Sequence, residues 1–170
     1  MYEIGDRIIY GSNGVCSIEG IQMLEVPHSD EKKAYYVIKP MYQDCTIAVP
    51  VDTKMFMRPI ITQQEALVLI DEIPHMEAEP YYNSALRQLQ DYYEKKMSSH
   101  SCRDLIELAL SLQKKRERMM ELKKKFGAID ERYLKRTEDL LFGEFSVVLE
   151  IPKTEVRQYI RNRIHQAAQA

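Results

Sequence analysis

The chain of 170 residues is long enough for one domain or two small ones, and its 45% hydrophobic and 29% charged content is typical of a globular protein. A net charge of −2 argues against a strongly basic nucleic-acid binder. The two halves differ, because residues 1–74 carry 6 basic and 11 acidic side chains (net −5) and residues 75–170 carry 18 and 15 (net +3). This asymmetry indicates two modules with different partners.

The three cysteines, Cys16, Cys45 and Cys102, are widely spaced and odd in number, which is typical of reduced thiols rather than of a disulfide framework. None has a second Cys or His at ligand spacing, so the sequence predicts no metal site. It contains no apolar run long enough to span a bilayer and no basic-then-apolar leader. We therefore expect a cytoplasmic protein without membrane association.

Residues 1–60 have the pattern of about five short strands, which predicts a small, strongly bent Tudor- or SH3-like β-barrel. The dipeptide Asn13-Gly14 predicts a tight hairpin after the first strand, because both residue types tolerate a positive φ. Gly20 lies within the second strand, where a glycine often marks a β-bulge or a bend. A later strand contains Pro50, which has no N–H to donate, so this strand is predicted at a sheet edge.

The hydrophobic period becomes helical after residue 62. Thr62 and Glu65 have the spacing of a capping box, in which each side chain accepts from the other's backbone N–H. Pro74 ends this helix, so residues 61–80 are predicted to form a helix and a linker. Residues 81–170 then carry three or four amphipathic stripes with short breaks, which predict an all-α helical bundle as the second domain of an α+β protein.

Local signals also predict where the later helices begin and end. Ser101 and Asp104 form a second capping pattern at the start of a long helix. Gly127 is predicted as the left-handed residue after that helix, and Asp130 as the cap of the next one. Pro152 suits the first turn of a final helix.

Nothing in the sequence predicts catalysis. The stretch 11–14 is rich in glycine but leads into a strand, so it lacks the helix N-terminus that binds phosphate. There is no nucleophile elbow, and the carboxylates are scattered over solvated helix faces. The four histidines do not have the spacing of a metal site: His28, His75, His100 and His165. We therefore expect a protein that is not an enzyme and uses no cofactor.

The opening residues carry a more specific signal. The pattern Gly5-Asp6-x-Ile8-Ile9-Tyr10-x-x-x-Gly14-Val15-x-x-Ile18 resembles the start of the CarD/CdnL family of bacterial transcription regulators, whose related module also occurs in the transcription-repair coupling factor. The resemblance continues through later segments: Tyr35-Tyr36-Val37-Ile38, Val49-Pro50-Val51, Arg58-Pro59-Ile60, Asp104-Leu105-x-Glu107-Leu108-Ala109 and Leu140-Leu141-x-x-Glu144.

The resemblance implies that the barrel binds the β subunit of RNA polymerase by adding an edge strand to its sheet, here through Thr46, Ile47, Ala48, Val49 and Pro50. Taken without the resemblance, this strand would be interpreted as one that merely closes the barrel. Many family members have a basic residue before the Val-Pro pair, where this chain has Ala48. A salt bridge to the polymerase is therefore not expected at that position.

The resemblance further implies non-specific contact of the helical half with promoter DNA at the upstream edge of the bubble, where a family tryptophan wedges into the minor groove. This chain has no tryptophan. The residues predicted to contact DNA are Tyr81, Tyr82, Asn83, Arg87, Lys114, Lys115 and Arg118. Alternatively, the tyrosines pack between the domains and the cations form a solvated helix face with intrahelical ion pairs.

Two functions follow from these alternatives. In the first, the protein regulates transcription by binding RNA polymerase and promoter DNA and changing the stability of the open complex. In the second, it is an adaptor that keeps the protein-binding edge but no longer contacts DNA. The free edge also allows pairing between copies, so the sequence leaves the oligomeric state open.

Overall fold

The chain folds into two compact units, Met1–Ile61 and Thr62–Ala170, in a computed structural model that describes residues 1–170. The first unit is a five-stranded antiparallel sheet and the second contains five α-helices. The protein is therefore α+β, as the sequence predicts. Residues 61–80 were predicted to form a helix and a linker between the domains. In the structure, the residues of this segment from Thr62 onward belong to the helical unit.

The strands of the first unit are β1 Arg7–Tyr10, β2 Val15–Glu25, β3 Lys32–Pro40, β4 Ile47–Pro50 and β5 Met57–Pro59. They pair in the order β4-β3-β2-β1-β5, and every pair is antiparallel. The two edges of the sheet are β4 and β5, which do not pair with each other. Each of these two edge strands therefore pairs with a neighbouring strand on one side only.

The connection between β1 and β2 differs from the predicted two-residue turn. Gly11–Asn13 form one turn of 3-10 helix, and the N–H of Tyr10 donates to the carbonyl of Gly14 at 3.1 Å. Gly11 at φ 46° and Gly14 at φ 71° adopt positive φ, whereas Asn13 does not. The prediction for Asn13 was wrong because the loop has four residues, and its two glycines provide the conformations that a Cβ disfavours.

The long strand β2 is interrupted where Gly20 predicts a bulge. Its register against β3 shifts between Ile18 and Gly20, so Glu19 is the extra residue. Cys16 lies in the core of this unit, and its burial raises the pKa of its thiol to about 11, with a smaller contribution from Cys45. The buried core consists of Ile8, Tyr10, Cys16, Ile18, Tyr36, Ile38 and Val49.

The helices of the second unit are α1 Gln63–Glu72, α2 Leu86–Met97, α3 Cys102–Glu121, α4 Ala128–Leu149 and α5 Val156–Gln169. Their apolar stripes supply the buried core, and the guanidinium of Arg163 on α5 contacts the carboxylate of Asp71 on α1 through two hydrogen bonds of 2.8 and 2.9 Å. None of these helices combines the length and the apolar character needed to cross a membrane.

Both predicted capping patterns are present at helix starts. The Thr62 side chain accepts from the N–H of Glu65 at 3.1 Å, and the Glu65 carboxylate accepts from the N–H of Thr62 at 2.7 Å. The Ser101 side chain accepts from the N–H of Asp104 at 3.1 Å. These contacts satisfy backbone donors that have no partner within the helix.

The predicted roles of Gly127 and Asp130 were wrong. Helix α3 ends at Glu121, and the left-handed residue after it is Lys123 at φ 55°. Gly127 instead precedes α4 as its N-cap residue with φ −65°, which places Asp130 in the first turn rather than at the cap. The prediction that Asp130 caps α4 failed because this residue is buried and its carboxylate binds side chains of other helices.

Candidate protein-binding edge and nucleic-acid interface

Strand β4 presents a regular set of outward-facing backbone groups. It pairs with β3 so that Val49 lies opposite Tyr36 and Ala48 opposite Val37, and the N–H of Val51 donates to the carbonyl of Ala34 at 3.0 Å. In an antiparallel ladder, residues alternate between bonding the neighbouring strand and facing away from it. Counting back from Val51, the N–H and C=O of Val49 point toward β3, and those of Ala48 point away.

This alternation explains the side chains along the edge. Val49 is 2% exposed in the core and Ile47 packs against the same core, whereas Thr46 and Ala48 are exposed. Pro50 occupies an outward-facing position, where its missing N–H removes no bond to β3. Of the five residues predicted to form the binding edge, Val49 and Ile47 therefore hold β4 on the core of the sheet. The outward-facing backbone of the strand remains accessible.

Of the predicted DNA-contacting aromatic residues, Tyr81 and Tyr82 lie in different environments. The Tyr81 ring stacks on Tyr92 of α2 with centroids 3.8 Å apart and 13° between the planes. Asn83 accepts from the N–H of Ala85 at 2.8 Å and donates to the Tyr81 hydroxyl at 3.0 Å, so its amide organises the chain before α2. Tyr82 is 51% exposed, which makes it the more accessible tyrosine of the two.

The predicted phosphate contacts also separate into different groups. Lys114 and Arg118 lie 3.0 and 3.4 Å from the two carboxylate oxygens of Glu79, an exposed residue that precedes α2. The two hydrogen bonds and positive charges of these cations hold the pKa of Glu79 below its ordinary value, with Lys114 contributing most. Arg87 is exposed and forms no ion pair. Only Arg87 in this set is thus an uncompensated cation on the surface.

Lys115 is buried in the helical unit, so the prediction that it contacts DNA was wrong for this fold. Its side chain is 5% exposed, and its ammonium lies 2.9 Å from Oδ2 of Asp130 and 3.0 Å from Oδ1. The Tyr93 hydroxyl donates to the same Asp130 carboxylate at 2.5 Å. Burial and then the neighbouring carboxylate raise the pKa of Tyr93 far above its ordinary value. The buried Asp130 carboxylate of α4 therefore binds both Tyr93 of α2 and Lys115 of α3 in the interior of the helical unit.

Three consecutive lysines, Lys123, Lys124 and Lys125, follow α3 and form a surface cluster that the predicted DNA-contacting set lacks. All three are exposed and none has a carboxylate partner. Lys125 borders an open pocket of about 400 Å³ that is also lined by Tyr82. The run of lysines is visible in the sequence, but its freedom from ion pairs depends on which carboxylates lie nearby in the fold.

No group of three or more His, Cys, Asp or Glu side chains is arranged to hold a metal ion. The buried Cys102 thiol instead donates to the buried Glu144 carboxylate at 3.1 Å, which joins the start of α3 to α4. The notable features of this chain are therefore an unpaired strand edge in one unit and a tyrosine beside free cations in the other.

An antiparallel sheet with an accessible edge can accept a strand from a partner protein. Comparison with known families matches residues 2–61 to the CarD-like/TRCF RID domain. Residues 2–61 are therefore similar to the RNA polymerase-interacting domain of CarD-like proteins, as the sequence resemblance implies.

A relative spans nearly the whole length. The chain is 23% identical over 161 residues to a Bacillus subtilis (strain 168) protein named "Putative transcription factor YdeB". The alignment covers 94% of this chain and 99% of the relative. Together, the domain match and the relative support a transcription-related role that involves RNA polymerase.

Proposed function

We propose that this protein regulates transcription by binding the β subunit of RNA polymerase through β4 and by contacting promoter DNA non-specifically through its helical unit. It is not an enzyme in this proposal, and it acts in the cytoplasm. The observation that supports it most directly is the free edge of β4 within the matched domain at residues 2–61.

Docking at this edge would use main-chain hydrogen bonds for affinity. The outward N–H and C=O of Ala48 would pair with a polymerase strand, as in other cases of strand addition. Val49 and Ile47 would hold β4 on its own core while the partner binds, because both side chains pack inward. The bent sheet would thereby behave as a small Tudor-like barrel completed by a strand of the polymerase.

Contact with DNA would change the balance between promoter states. A protein shifts such an equilibrium only by the difference in its affinity for the two states. Tyr82 is the accessible aromatic that could act at the upstream edge of the bubble, and Arg87 and Lys123–Lys125 are the cations free to bind phosphates. Contacts of this kind read no sequence, so the proposal includes no base-specific recognition.

The adaptor function is the second candidate, and the ion pairs favour it. Glu79 already binds Lys114 and Arg118, and Lys115 is buried, so three of the four predicted phosphate-binding cations are occupied. An adaptor would bind RNA polymerase through β4 and leave DNA unbound. Both candidates share the polymerase contact and differ only in the helical unit.

One pair of measurements separates the two functions. The full chain would be titrated with the isolated β subunit, and separately with a promoter fragment over a range of salt concentrations. A regulator binds both, and its DNA affinity falls with salt by about 0.9 in log K per log salt for each phosphate contact. An adaptor binds the β subunit but no DNA at low salt, and failure to bind the β subunit contradicts both candidates.

Replacing Glu79 tests whether the paired cations limit DNA binding. Glu79→Gln should tighten DNA binding and steepen its salt dependence by up to about 1.8, because it frees Lys114 and Arg118 for two phosphates. Fluorescence anisotropy of a labelled duplex measures both quantities. Glu77→Gln is the matched control, since it removes the same charge from an exposed residue that forms no ion pair. Equal changes in the two variants would mean that only net charge matters.

A further inference from the structure

A second, mostly apolar groove lies within the helical unit, where side chains from α3, α4 and α5 converge. Its lining residues on α3 have the helical spacing i, i+3, i+4 and i+7, and those on α5 have the same spacing. None of the residues predicted to contact RNA polymerase or DNA lines it. The lining consists of Ile73, Ile106, Ala109, Leu110, Gln113, Glu138, Leu141, Phe142, Arg157, Ile160, Arg161 and Ile164.

The floor of the groove is apolar and its α5 wall is incompletely packed. Ile106, Ala109 and Leu141 on the floor are buried, with 2, 5 and 4% of their surface exposed. Ile160 and Ile164 of α5 face the same space but are only half-buried. Helix α5 therefore leaves part of the apolar surface of α3 and α4 uncovered, and the groove opens to solvent there.

The size of the groove limits what it can hold. Its volume is about 160 Å³. An apolar cavity of about 150 Å³ is large enough for benzene. Sites for larger organic ligands start at about 300 Å³. One six-membered ring therefore fits, whereas a nucleotide or a large cofactor does not.

The charges at the mouth of the groove favour an anion. The Glu138 carboxylate accepts from Nε2 of Gln113 at 3.0 Å and from the Arg157 guanidinium at 2.5 Å, so both of its oxygens are occupied. Arg161 also lines the groove, but it is exposed and forms no ion pair. One carboxylate and two guanidinium groups give a net charge of +1. The cation that remains uncompensated is Arg161.

We propose that this groove binds a small aromatic carboxylate, with its ring on the floor formed by Ile106, Ala109 and Leu141 and its carboxylate at Arg161. Transfer of the ring from water to an apolar surface favours binding. The carboxylate stays at the open mouth, where it keeps part of its hydration and does not incur the cost of a buried charge. The site is separate from the β4 edge and adds a small-molecule ligand to the proposed function.

The test is a titration of the full ¹⁵N-labelled chain with phenylacetate, followed by the chemical shifts of backbone amides. Amides of Ala109 and Leu141 on the floor should shift with saturation. Two probes separate the parts of the ligand: 2-phenylethanol has the ring without the charge, and acetate has the charge without the ring. Phenylacetate should bind about 5-fold more tightly than 2-phenylethanol, the upper value for a solvent-exposed ion pair, and acetate should not shift the floor amides.

Replacing the free cation tests the preference for an anion. Arg161→Gln should weaken phenylacetate binding by about 5-fold and leave 2-phenylethanol binding unchanged, because only the carboxylate uses the guanidinium. Arg116→Gln is the matched control, since Arg116 is also exposed and without an ion pair but does not line the groove. This control should bind both probes as the parent does.

Filling the groove tests its location. Ala109→Leu places a larger apolar side chain on the floor and should weaken phenylacetate binding by at least about 10-fold, since the ring and the new side chain would occupy the same space. Ile160→Phe fills the groove from α5, where the half-buried position has room to adjust, and should have the same effect. Circular dichroism would verify that each variant is folded.

Three outcomes would overturn the inference. If no probe bound, the groove would be an ordinary packing gap. Equal binding of phenylacetate and 2-phenylethanol, unchanged in Arg161→Gln, would exclude a carboxylate as the ligand class. Phenylacetate binding that persisted in both folded filling variants would place the site elsewhere. None of these results would alter the tests of polymerase or DNA binding.

Discussion

Lys115→Met should lower the free energy of unfolding of the helical unit by about 3–5 kcal/mol, because it leaves the Asp130 carboxylate buried without its cation. Methionine retains most of the length and apolar volume of the lysine stem, so the loss arises from the charge rather than from a cavity. The Tyr93 hydroxyl would still donate to Asp130, but one neutral donor does not compensate a buried anion. Urea denaturation followed by the helical circular dichroism signal measures the change.

The matched control lies one residue earlier in the sequence. Lys114 also pairs with a carboxylate, at 3.0 Å, but both side chains are largely exposed, and exposed pairs contribute little to stability. Lys114→Met should therefore have little effect on the midpoint. If the two variants were equally stable, the Lys115–Asp130 pair would not be the buried clamp that its exposure and distances describe.

Replacing the whole network should recover most of the loss. The combination Lys115→Met, Asp130→Leu and Tyr93→Phe removes both charges and the hydroxyl that donates to Asp130. Buried ion pairs exchanged for well-packed apolar groups are often neutral or even stabilising, because no group is left desolvated without a partner. A combined variant as unstable as Lys115→Met alone would indicate that packing, not the unpaired charge, causes the loss.

Ala48→Pro should weaken binding of the isolated β subunit by about 10- to 100-fold while leaving the first unit folded. The N–H of Ala48 faces away from β3, so proline removes a donor to the partner and leaves that strand's carbonyl unsatisfied, at a cost of about 1–3 kcal/mol. The same substitution removes no bond of the protein's own sheet. Calorimetric titration with the β subunit measures the affinity.

Two controls separate docking from folding. Ala48→Ser keeps the N–H at the same exposed position and should bind almost as well as the parent. Val49→Pro removes a donor that faces β3 and disturbs a residue that is 2% exposed, so it should destabilise the sheet itself. Unchanged binding by a folded Ala48→Pro variant would contradict docking by strand addition.

Sequence reasoning predicted well those features that depend on neighbours in the chain. The Thr62 and Ser101 caps are present because each uses a backbone N–H three residues away. The bulge beside Gly20 and the edge position of Pro50 are also present, since both follow from what a residue's own backbone can and cannot do. The family pattern at residues 4–18 identified the first unit for the same reason, because it is a continuous local motif.

Other predictions failed where the outcome depended on a distant partner or on where a loop begins and ends, as at Asn13. Lys115 and Lys114 are adjacent and chemically identical, yet one binds Asp130 in the interior and the other binds Glu79 at the surface. Gly127 was assigned to the end of α3, although Lys123 takes the left-handed conformation there. A list of charged residues does not reveal such differences, because burial and pairing depend on how the helices pack.

The amino-acid order by itself thus determined the fold class, the strand-forming and helix-forming segments, several caps and the family of the first unit, since these depend on backbone preferences and short-range patterns. The tertiary structure alone decided which N–H groups of β4 are free, which cations are free and which tyrosine is exposed. The physical reason is that strand register and helix packing bring together groups 15 to 35 positions apart, as in Lys115–Asp130 and Lys114–Glu79.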